Sequence, residues 1–486
     1  MMQSYFIGID IGTQGARVVL LDHKGKQLAA REEVFILTTR QSEAQSPQQW
    51  WQSCYYLLQS ACKALVTEID LSCVKAITVT STSGTIIPLN KNSEPLNEAI
   101  MYSDTRSAPQ ALRCREVAMV SGYKGYTGFN SSAALPKMLW FMEKYPEKME
   151  KLNRFIHAAD FITGKLSGNF SVTDYTNALK SGFDARNLEW PAYLFDALPL
   201  QREWLPEVVP SGTPAGIIKK ELAKELNLSP HTIVTAGLTD GCASQVASGA
   251  VNVGNWNTTI GTTLVIKGVT KKEIIDPSGA LYCHRHPQGY WMPGGASNTG
   301  AGWVNQLFDP ERTDELNAAA AQLMPTGKLA WPLMQNGERF PFVAPQARAF
   351  APDQIKETEL FAAYLEGVAY IERYAYEKIM ELSGEKVEQV FAAGGGSHSD
   401  TWLIIRSSVL GLPIRKMKNV SGAAGAAIVA ASQTHYQSLA QAAQAMTEPE
   451  KLIQPQSRLV AAYEKQYHRF INTLKEKGYI SQQQYV

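Results

Sequence analysis

The sequence predicts an α/β fold made of two related domains, and three observations support this prediction. The chain has 486 residues, which is more than a single hydrophobic core ordinarily serves. Patterns typical of strands alternate with patterns typical of helices, as in a mixed or parallel α/β sheet. A strand, a Gly-Thr turn and a second strand occur twice, with Ile-Gly-Thr at 11–13 and again at 260–262. This repeat indicates an internal duplication, with one copy in each half of the chain.

The first copy is a predicted strand hairpin at residues 5–22. Gly12 and Gly15 allow backbone N–H groups to come close to a ligand, and such groups bind anions. Asp10 lies at the end of the first strand, where a carboxylate can serve a metal ion or a hydroxyl group. Arg17 adds a positive charge, although an arginine in a strand can also pair with a neighbouring carboxylate. For this hairpin alone, a structural role and a ligand-binding role both stay open.

The second copy is a predicted hairpin at residues 255–267. Its turn contains Gly261, Thr262 and Thr263, whose N–H groups and hydroxyls are suitable donors to phosphate oxygens. Two phosphate-binding hairpins, one in each half, imply two related domains facing each other across a nucleotide. This is the arrangement of the actin-like ATPases. We expect the boundary between the domains near Gly249.

Composition and charge exclude several other classes of protein. Hydrophobic residues make up 45% of the chain and charged residues 19%, as in ordinary globular proteins. The formal net charge of +1 predicts no basic surface for nucleic acid or for acidic membranes. The sequence shows no apolar run long enough to span a bilayer and no signal-peptide pattern. Six dispersed cysteines without a CxxC pair favour reduced thiols, so we expect a cytoplasmic protein.

The other predicted elements follow in chain order. Ser46 and Pro47 have the chemistry of a helix start, and apolar residues at helical spacing continue the helix to residue 66. A buried strand at 74–80 ends in the hydroxyl-rich segment 80–85, which suits a polyol, although a solvated turn is the alternative. A segment at 203–218 rich in Pro and Gly predicts a loop. Further predictions are helices at 137–143, 242–250, 361–382 and 421–430, and strands at 233–238 and from 390.

Carboxylates at the predicted strand ends indicate phosphoryl transfer. This reaction mainly requires positioning, charge neutralisation and a base for the proton of the acceptor hydroxyl. Asp240, between a strand and a helix, fits the base. Asp10 fits a site beside the transferred phosphate and Mg²⁺, an ion that takes one or two carboxylates together with water and phosphate oxygens. We also expect the polar segments 157–160 and 173–178 to lie near the cleft.

A glycine-rich segment at 394–396, followed by Ser399, would let an adenosine lie flat on the backbone. A glycine triplet alone is a weak signal. The ordered set of Asp-x-Gly-Thr at 10–13, Thr-Asp-Gly at 239–241, Ile-Gly-Thr-Thr at 260–263 and Gly-Gly-Gly at 394–396 is far more specific.

These motifs resemble those of the FGGY carbohydrate kinases, from the first strand to about residue 431. The segments that carry the resemblance are 8–13, 137–140, 237–241, 261–263, 363–368 and 393–399. The resemblance implies two actin-like (ribonuclease H-like) α/β domains with a catalytic cleft between them. It implies a sugar-binding N-terminal domain at 1–249 and a nucleotide-binding C-terminal domain at 250–486. The implied partners are a small-molecule sugar, ATP and Mg²⁺, and whether the chain forms a homodimer stays open.

The family's functional residues can be carried over by position. Asp240 is then the general base, and Asp10 lies beside Mg²⁺ and the sugar. The resemblance implies that these two carboxylates and Ser83 bind the sugar, and that the two carboxylates hold the metal ion directly or through water. The residues implied for nucleotide binding are Thr13, Gly15, Arg17, Gly261, Thr262, Thr263, Gly300, Gly395, Gly396 and Ser399.

Local motifs narrow the choice of acceptor sugar. Xylulose kinases carry Met-His-Gly where this chain has Thr-Ser-Gly at 82–84, and the Arg-Glu pair of glycerol kinases is absent as well. The segments 82–85, 174–180, 295–298 and 337–341 resemble those of the D-ribulose kinases of cyanobacteria and plants, in which the serine matching Ser83 contacts the ketose. Two features depart from that group: Asp104 with Arg106, and Ser399 where some members have Asn.

The sequence therefore predicts an ATP-dependent pentulose kinase that forms the 5-phosphate and ADP, with D-ribulose as the preferred acceptor. The alternatives are D-xylulose, L-ribulose, ribitol and glycerol. A more remote alternative is an actin-like ATPase that acts as a switch. A sugar-binding protein without catalysis is disfavoured, because Asp10 and Asp240 are both retained.

Overall fold

The computed structural model describes residues 3–36 and 42–481. The chain forms two compact units. The first contains residues 1–249, 284–289 and 419–447, and the second contains residues 250–283, 290–418 and 448–486. The long N-terminal segment of the first unit ends at Gly249, where we expected the domain boundary. The first unit also includes two segments from later in the chain. In this respect the units differ from the two continuous halves that the sequence suggested.

Helices and strands occur throughout both units. The strands are β1 (Tyr5–Gly12), β2 (Gly15–Asp22), β3 (Gln27–Val34), β4 (Ala44–Gln45), β5 (Val74–Ser81), β6 (Ile86–Leu89), β7 (Ala99–Ile100), β8 (Arg154–His157), β9 (Val172–Asp174), β10 (Glu207–Val209), β11 (Pro214–Ile217), β12 (Ile233–Thr239), β13 (Asn255–Ile260), β14 (Leu264–Gly268), β15 (Tyr282–Arg285), β16 (Trp291–Ser297), β17 (Gln389–Ala393), β18 (Ile414–Met417) and β19 (Pro449–Ile453). The helices are α1 (Pro47–Leu65), α2 (Ala108–Val120), α3 (Ala134–Lys144), α4 (Ala158–Ser167), α5 (Tyr175–Ala178), α6 (Tyr193–Asp196), α7 (Lys220–Glu225), α8 (Asp240–Ala247), α9 (Gly302–Leu307), α10 (Thr313–Leu323), α11 (Glu357–Ser383), α12 (Asp400–Leu410), α13 (Gly422–Ser432), α14 (Leu439–Met446) and α15 (Ser457–Glu476). Within the described ranges, none of the helices is long and apolar enough to cross a membrane.

The main sheet of the first unit has six strands in the order β11-β12-β5-β1-β2-β3. The hairpin predicted at the start of the chain is confirmed, because β1 and β2 are antiparallel neighbours. β1, β5 and β12 are parallel, so their carboxyl ends lie at the same edge of the sheet. Smaller sheets of the orders β4-β7-β6-β8 and β10-β9 complete the strand structure of this unit.

The second unit contains a sheet of the order β15-β16-β14-β13-β17-β18-β19. The predicted second hairpin is confirmed as β13 and β14. From β16 to β19 the strands repeat the arrangement of the first sheet: an antiparallel meander, two further parallel strands and an antiparallel edge strand. The two sheets therefore share one topology, as an internal duplication predicts.

Helix α1 begins where the sequence indicated. The Ser46 side chain accepts a hydrogen bond from Gln49 N at 3.3 Å, and Pro47 occupies the first helical position. Trp50 and Leu57 are buried on the face of the helix that packs in the hydrophobic core of the first sheet. The cap residues thus predicted the start of this helix, and the apolar spacing predicted its buried face.

Helix α13 is buried on every side, and all eleven of its residues are shielded from solvent. Small residues allow this packing. A Cβ atom on Gly8 of β1 would lie 1.8 Å from Ala423 O, and one on Gly425 would lie 1.9 Å from Ala243 O. Thus α13 packs against both β1 and α8, which explains why a segment so late in the chain belongs to the first unit.

One local prediction was wrong. The segment 203–218, predicted as a loop, contains β10 and β11, which pair with β9 and β12. Both strands are short and rich in Pro, Gly or Val, and partners distant in the sequence fix them. The polar segments 157–160 and 173–178 are buried and form hydrogen bonds inside the first unit. The expectation that they lie near the cleft stays a prediction.

Candidate active site

Three predicted residues of the first unit occur at one edge of its sheet. Asp10 is near the end of β1, and Ser83 follows the neighbouring strand β5. Asp240 directly follows β12, on the other side of β5. Because these strands are parallel, their carboxyl ends coincide, and ligands of α/β sheets bind beyond such ends. The fold therefore brings the two carboxylates and the serine to the same side of one domain.

Asp10 has a largely buried carboxyl group. Its Oδ1 atom is buried and has no hydrogen-bond partner among the described residues. Burial raises the pKa of this carboxyl to about 7; the negative charge of Asp240 contributes to the increase and Arg17 opposes it. A Cβ atom on Gly422 would lie 2.5 Å from Asp10 Oδ2, so only glycine fits at the first position of α13. The N-terminal end of α13 thus abuts the Asp10 carboxylate and favours its charged form.

Asp240 is exposed and begins helix α8. Its Oδ1 atom accepts a hydrogen bond from Gly241 N at 2.7 Å. A carboxylate in the first turn of a helix is stabilised by the free N–H groups of that turn. Asp240 is therefore accessible, as a base that receives a proton from a substrate hydroxyl must be.

A buried network holds the backbone in front of Asp240. The Thr176 hydroxyl accepts a hydrogen bond from Thr239 N at 2.8 Å and donates one to Asp174 Oδ1 at 2.6 Å. Asp174 also accepts hydrogen bonds from Thr176 N at 2.7 Å and from Asn177 Nδ2 at 2.6 Å. Burial raises the pKa of Asp174, while these hydrogen bonds oppose the increase. The sequence marked this segment as polar, but it gave no signal that Thr176 would bond to the end of β12.

The segment after β5 is shaped by its own hydroxyl groups. Thr82 and Thr85 share a hydrogen bond of 2.9 Å between their side-chain oxygens, and Thr85 Oγ1 also accepts one from Tyr102 N at 3.1 Å. Gly84 has a φ of +87°, which is a conformation that favours glycine. Between them, Ser83 Oγ is buried and has no partner among the described residues. An unused buried hydroxyl is available to a ligand.

The first unit also contains buried or partly buried charged residues. Lys137 is fully buried, its Nζ donates to the Ser131 and Ala133 carbonyls, and burial lowers its pKa to about 7. Asp104 and Arg106, which depart from the ribulose-kinase pattern, form a bidentate pair with an Nη2–Oδ2 distance of 2.6 Å. Asp104 is 1% exposed, and the Arg106 guanidinium lies 4.4 Å from the Trp140 ring centroid. Asp104 and Arg106 thus bond to each other, and Arg106 packs on a ring of the same unit.

The first hairpin turn has structural partners of its own. Arg17 forms an ion pair with Glu32 on β3, which is the structural alternative that the sequence left open. Gly15 is required by packing, because a Cβ atom there would lie 2.3 Å from Glu33 O. Thr13 O accepts a hydrogen bond from Gln45 Nε2 at 3.0 Å. The roles of Thr13, Gly15 and Arg17 in nucleotide binding stay predictions.

In the second unit, the predicted phosphate-binding residues converge on one turn. Gly261 N bonds to Thr263 O at 2.9 Å, and Ala301 N bonds to Gly261 O at 2.7 Å. Gly300 packs directly on the turn, since a Cβ atom on it would lie 2.5 Å from Thr262 O. Residues separated by about forty positions in the sequence are thereby brought together.

The glycine-rich segment reaches the same hairpin. Gly394 has a φ of +79°, and a Cβ atom on it would lie 2.5 Å from Ile260 O. A Cβ atom on Gly396 would lie 2.8 Å from the Ile260 Cβ, whereas Gly395 has open space beside it. Ser399 caps helix α12, where its hydroxyl accepts a hydrogen bond from Trp402 N at 3.1 Å and donates one to Asn317 Oδ1. Its predicted contact with the nucleotide would have to coexist with this cap.

The number and type of the carboxylates at this sheet edge, Asp10 and Asp240, suit a magnesium ion. No cluster of three or more His, Cys, Asp or Glu side chains occurs in the part of the chain that the structure describes. Mg²⁺ needs fewer, because it usually takes one or two carboxylates together with water and substrate phosphate oxygens. The unpartnered Oδ1 of Asp10 is a suitable ligand for such an ion. Asp240 would hold the ion with it.

Comparison with known proteins establishes the family. The model for the N-terminal domain of the FGGY family of carbohydrate kinases matches residues 5–247, and the model for its C-terminal domain matches residues 256–434. The chain belongs to the FGGY family of carbohydrate kinases. It is therefore a phosphotransferase, an ATP-dependent sugar kinase, and the predicted family is confirmed.

Individual FGGY relatives cover nearly the whole chain. A xylulose kinase of Staphylococcus epidermidis is 26% identical, over 96% of each chain. A gluconokinase of Bacillus licheniformis is 27% identical, over 82% of each chain. The crystal structure of xylulose kinase from Rhodospirillum rubrum superposes with a TM-score of 0.86 at 23% identity, covering 97% of this chain and 98% of that one. The last comparison confirms the two-domain actin-like α/β fold. The identity of the acceptor sugar is a separate question.

Proposed function

We propose that this FGGY kinase phosphorylates a pentulose, D-ribulose in preference to other acceptors, at its terminal hydroxyl. Asp240 accepts the proton of that hydroxyl, whose oxygen forms a bond to the γ-phosphorus of ATP. The bond from the γ-phosphorus to the β,γ-bridging oxygen breaks, which gives the 5-phosphate and ADP. Mg²⁺, held by Asp10 and Asp240 with phosphate oxygens, would supply charge neutralisation during this transfer.

In this proposal the second unit holds ATP. The turn at Gly261, Thr262 and Thr263 would bind its phosphates, and Gly300 would support that turn. The backbone at Gly395 and Gly396 would receive the adenosine, with open space beside Gly395. The convergence of these residues on a single hairpin supports the assignment, because phosphate binding by backbone N–H groups needs a closely packed turn.

The observation that supports a pentulose is the free hydroxyl of Ser83. It is buried, it lacks a partner within the described residues, and it follows the strand between those that carry Asp10 and Asp240. A polar group without a partner in such a position is costly unless a ligand completes its hydrogen bonding. A hydroxyl or the carbonyl of a ketose would do so.

D-Xylulose is the second candidate. It is favoured by the relatives, because a xylulose kinase matches the chain along 96% of its length. Against it, this chain carries Thr-Ser-Gly at 82–84 in place of the Met-His-Gly of the xylulose kinases. The gluconokinase among the relatives adds D-gluconate to the acceptors that should be compared.

The test is a coupled assay of ADP release with D-ribulose, D-xylulose, L-ribulose, ribitol, glycerol and D-gluconate. We expect the highest kcat/KM with D-ribulose. Replacement of Ser83 by Ala should then raise the KM for D-ribulose by about 5- to 150-fold, which corresponds to roughly 1–3 kcal/mol for a lost hydrogen bond. ADP release that is independent of every acceptor would instead indicate an ATPase switch.

A matched control is Ser171→Ala. The Ser171 hydroxyl lies in the same unit but is already bonded to Asn169 Oδ1, at 2.6 Å. This change should leave the KM values for all sugars unchanged. If Ser83→Ala also left the kinetics with D-ribulose unchanged, the assignment of D-ribulose would be wrong, although the kinase activity itself would stand.

A further inference from the structure

Glu338 is a buried carboxylate that the predicted chemistry does not use. It is 2% exposed and follows Gly337, whose φ is +84°. Its Oε1 atom accepts hydrogen bonds from Asn298 N at 2.7 Å and from Arg339 N at 2.9 Å. Its Oε2 atom accepts hydrogen bonds from the hydroxyls of Ser297 at 2.8 Å and Thr299 at 2.9 Å.

Three of these four bonds hold one short segment, residues 297–299. Two further contacts reinforce it. The side chain of Asn298 donates back to Gly337 O at 2.8 Å, and Trp331 Nε1 donates to Thr299 Oγ1 at 2.8 Å. The segment is thus fixed by a fully satisfied polar network, the kind that gives a single well-defined conformation.

The segment held by Glu338 is bonded in turn to the second hairpin. Thr299 O accepts a hydrogen bond from Leu264 N at 2.8 Å, and Gly302 N donates to Thr262 O at 3.3 Å. Between them, Gly300 packs so closely that a Cβ atom would lie 2.5 Å from Thr262 O. Glu338 is therefore bonded to Thr299, the residue next to Gly300, and Gly300 packs on the turn that would bind phosphates.

We propose that Glu338 is a positioning residue for the triphosphate of ATP, acting through Ser297–Gly300 on the turn Gly261–Thr263. This inference rests on the proposed role of that turn in nucleotide binding. A carboxylate suits the task because it accepts several hydrogen bonds at once, and ionised acceptors form stronger bonds than neutral ones. It does not touch the nucleotide; it determines where the N–H groups that face the phosphates point.

Glu366 of the same unit offers a matched control. It is completely buried, and its carboxylate accepts hydrogen bonds from Thr326 N at 2.9 Å, Thr326 Oγ1 at 2.6 Å and Tyr463 OH at 3.0 Å. Its chemistry therefore matches that of Glu338. None of its recorded hydrogen bonds involves the segment 297–300 or the hairpin turn.

The test compares Glu338→Ala, Glu338→Gln and Glu366→Ala in the full-length kinase. We expect Glu338→Ala to raise the KM for ATP, and the Kd for ADP measured by calorimetry, by about 10- to 100-fold, the cost of a small displacement of positioned groups. The KM for the sugar should change less than about threefold. Glu338→Gln, which keeps one acceptor and the side-chain volume, should recover most of the affinity. Glu366→Ala should lower the melting temperature without changing the affinity for ADP.

Two outcomes separate failure of this inference from failure of the proposed nucleotide site. Gly300→Ala, which pushes directly on the turn, tests the site itself. If Gly300→Ala weakens ADP binding and a folded Glu338→Ala does not, the role of Glu338 is wrong and the site stands. If neither change affects ADP binding, the turn is not the nucleotide site. Should Glu338→Ala fail to fold, Ser297→Ala removes one bond of the network, and unchanged ADP affinity in that variant would overturn the proposal.

Discussion

Two carboxylates at the same sheet edge have contrasting surroundings. Asp10 lies against the end of α13 with an unpartnered, buried oxygen, and its pKa is raised to about 7. Asp240 is exposed at the start of α8. When two neighbouring carboxylates differ in burial and hydrogen bonding, each can take a different role in one reaction. The exposed Asp240 suits proton acceptance, and Asp10 suits a cation or a sugar hydroxyl.

Replacement of Asp240 by Asn should lower kcat with the best sugar by about 10²- to 10⁴-fold, the range typical of a lost general base. The KM for ATP should stay within about threefold, because we propose that the other unit binds ATP. Measurement of ADP and sugar phosphate in quenched reactions gives both kcat and the KM for ATP. Near-normal turnover in this variant would remove Asp240 from the catalytic role.

The same substitution should change the pH dependence of the remaining activity. The proposed role of Asp10 in holding Mg²⁺ requires an ionised carboxylate, so we expect kcat/KM to fall as the pH decreases through its pKa. The negative charge of Asp240 is one cause of the raised pKa of Asp10, and Asn removes it. The acidic limb of the kcat/KM profile should therefore move to lower pH in Asp240→Asn. A limb that stays in place or moves to higher pH would contradict this electrostatic coupling.

At the scale of residues, the sequence indicated Asp10, Ser83 and Asp240 because strand ends followed by Gly, Ser or Thr are recognisable patterns. It could not indicate Thr176 or Glu338 in their supporting roles. Both act through hydrogen bonds to residues about forty to sixty positions away. Such pairings depend on which strands become neighbours, and no local pattern records that.

At the scale of elements, a hydrogen bond between α5 and the end of β12 holds the backbone just before Asp240. Thr176→Val keeps the side-chain shape but removes the hydroxyl that accepts from Thr239 N and donates to Asp174. We expect kcat to fall by about tenfold, because a small displacement of a catalytic group is costly. The KM for ATP should be unchanged, and Thr176→Ser should restore turnover. Steady-state kinetics of the variants provide the measurement.

The chain contains a suitable control for that experiment. Thr163 of α4 is also buried, but its hydroxyl has no hydrogen-bond partner among the described residues. Thr163→Val should therefore leave kcat unchanged. Equal losses in Thr163→Val and Thr176→Val would show that the effect comes from buried threonines in general rather than from the position of Asp240.

Elements with strong local signals were predictable, and elements defined by pairing were not. The two hairpins and α1 combine apolar periodicity with turn or cap residues, so their sequences specify them. β10 and β11 have three and four residues and exist because β9 and β12 provide partners. A segment rich in Pro and Gly at that position resembles a loop until its partners are known.

At the scale of the whole molecule, α13 returns to the first unit after the chain has built most of the second. Every residue of α13 is buried, and it packs closely on β1 and α8. Its small-residue composition predicted close approach, but no local pattern indicated which unit it would join. A fragment that ends at residue 249 would therefore expose the faces of β1 and α8 that α13 covers.

This architecture predicts how the first unit can be isolated. A fragment of residues 1–249 should lack a cooperative thermal transition, because the surfaces of β1 and α8 that α13 covers are left exposed and exposed apolar surface is destabilising. Fusion of residues 419–447 to that fragment through a glycine-rich linker should restore a cooperative transition and near-ultraviolet circular dichroism. Fusion of α15, an amphipathic helix from the second unit, is the control and should not restore it. A cooperative melt of 1–249 alone, at the temperature of the fused fragment, would show that α13 is dispensable for the fold of the first unit.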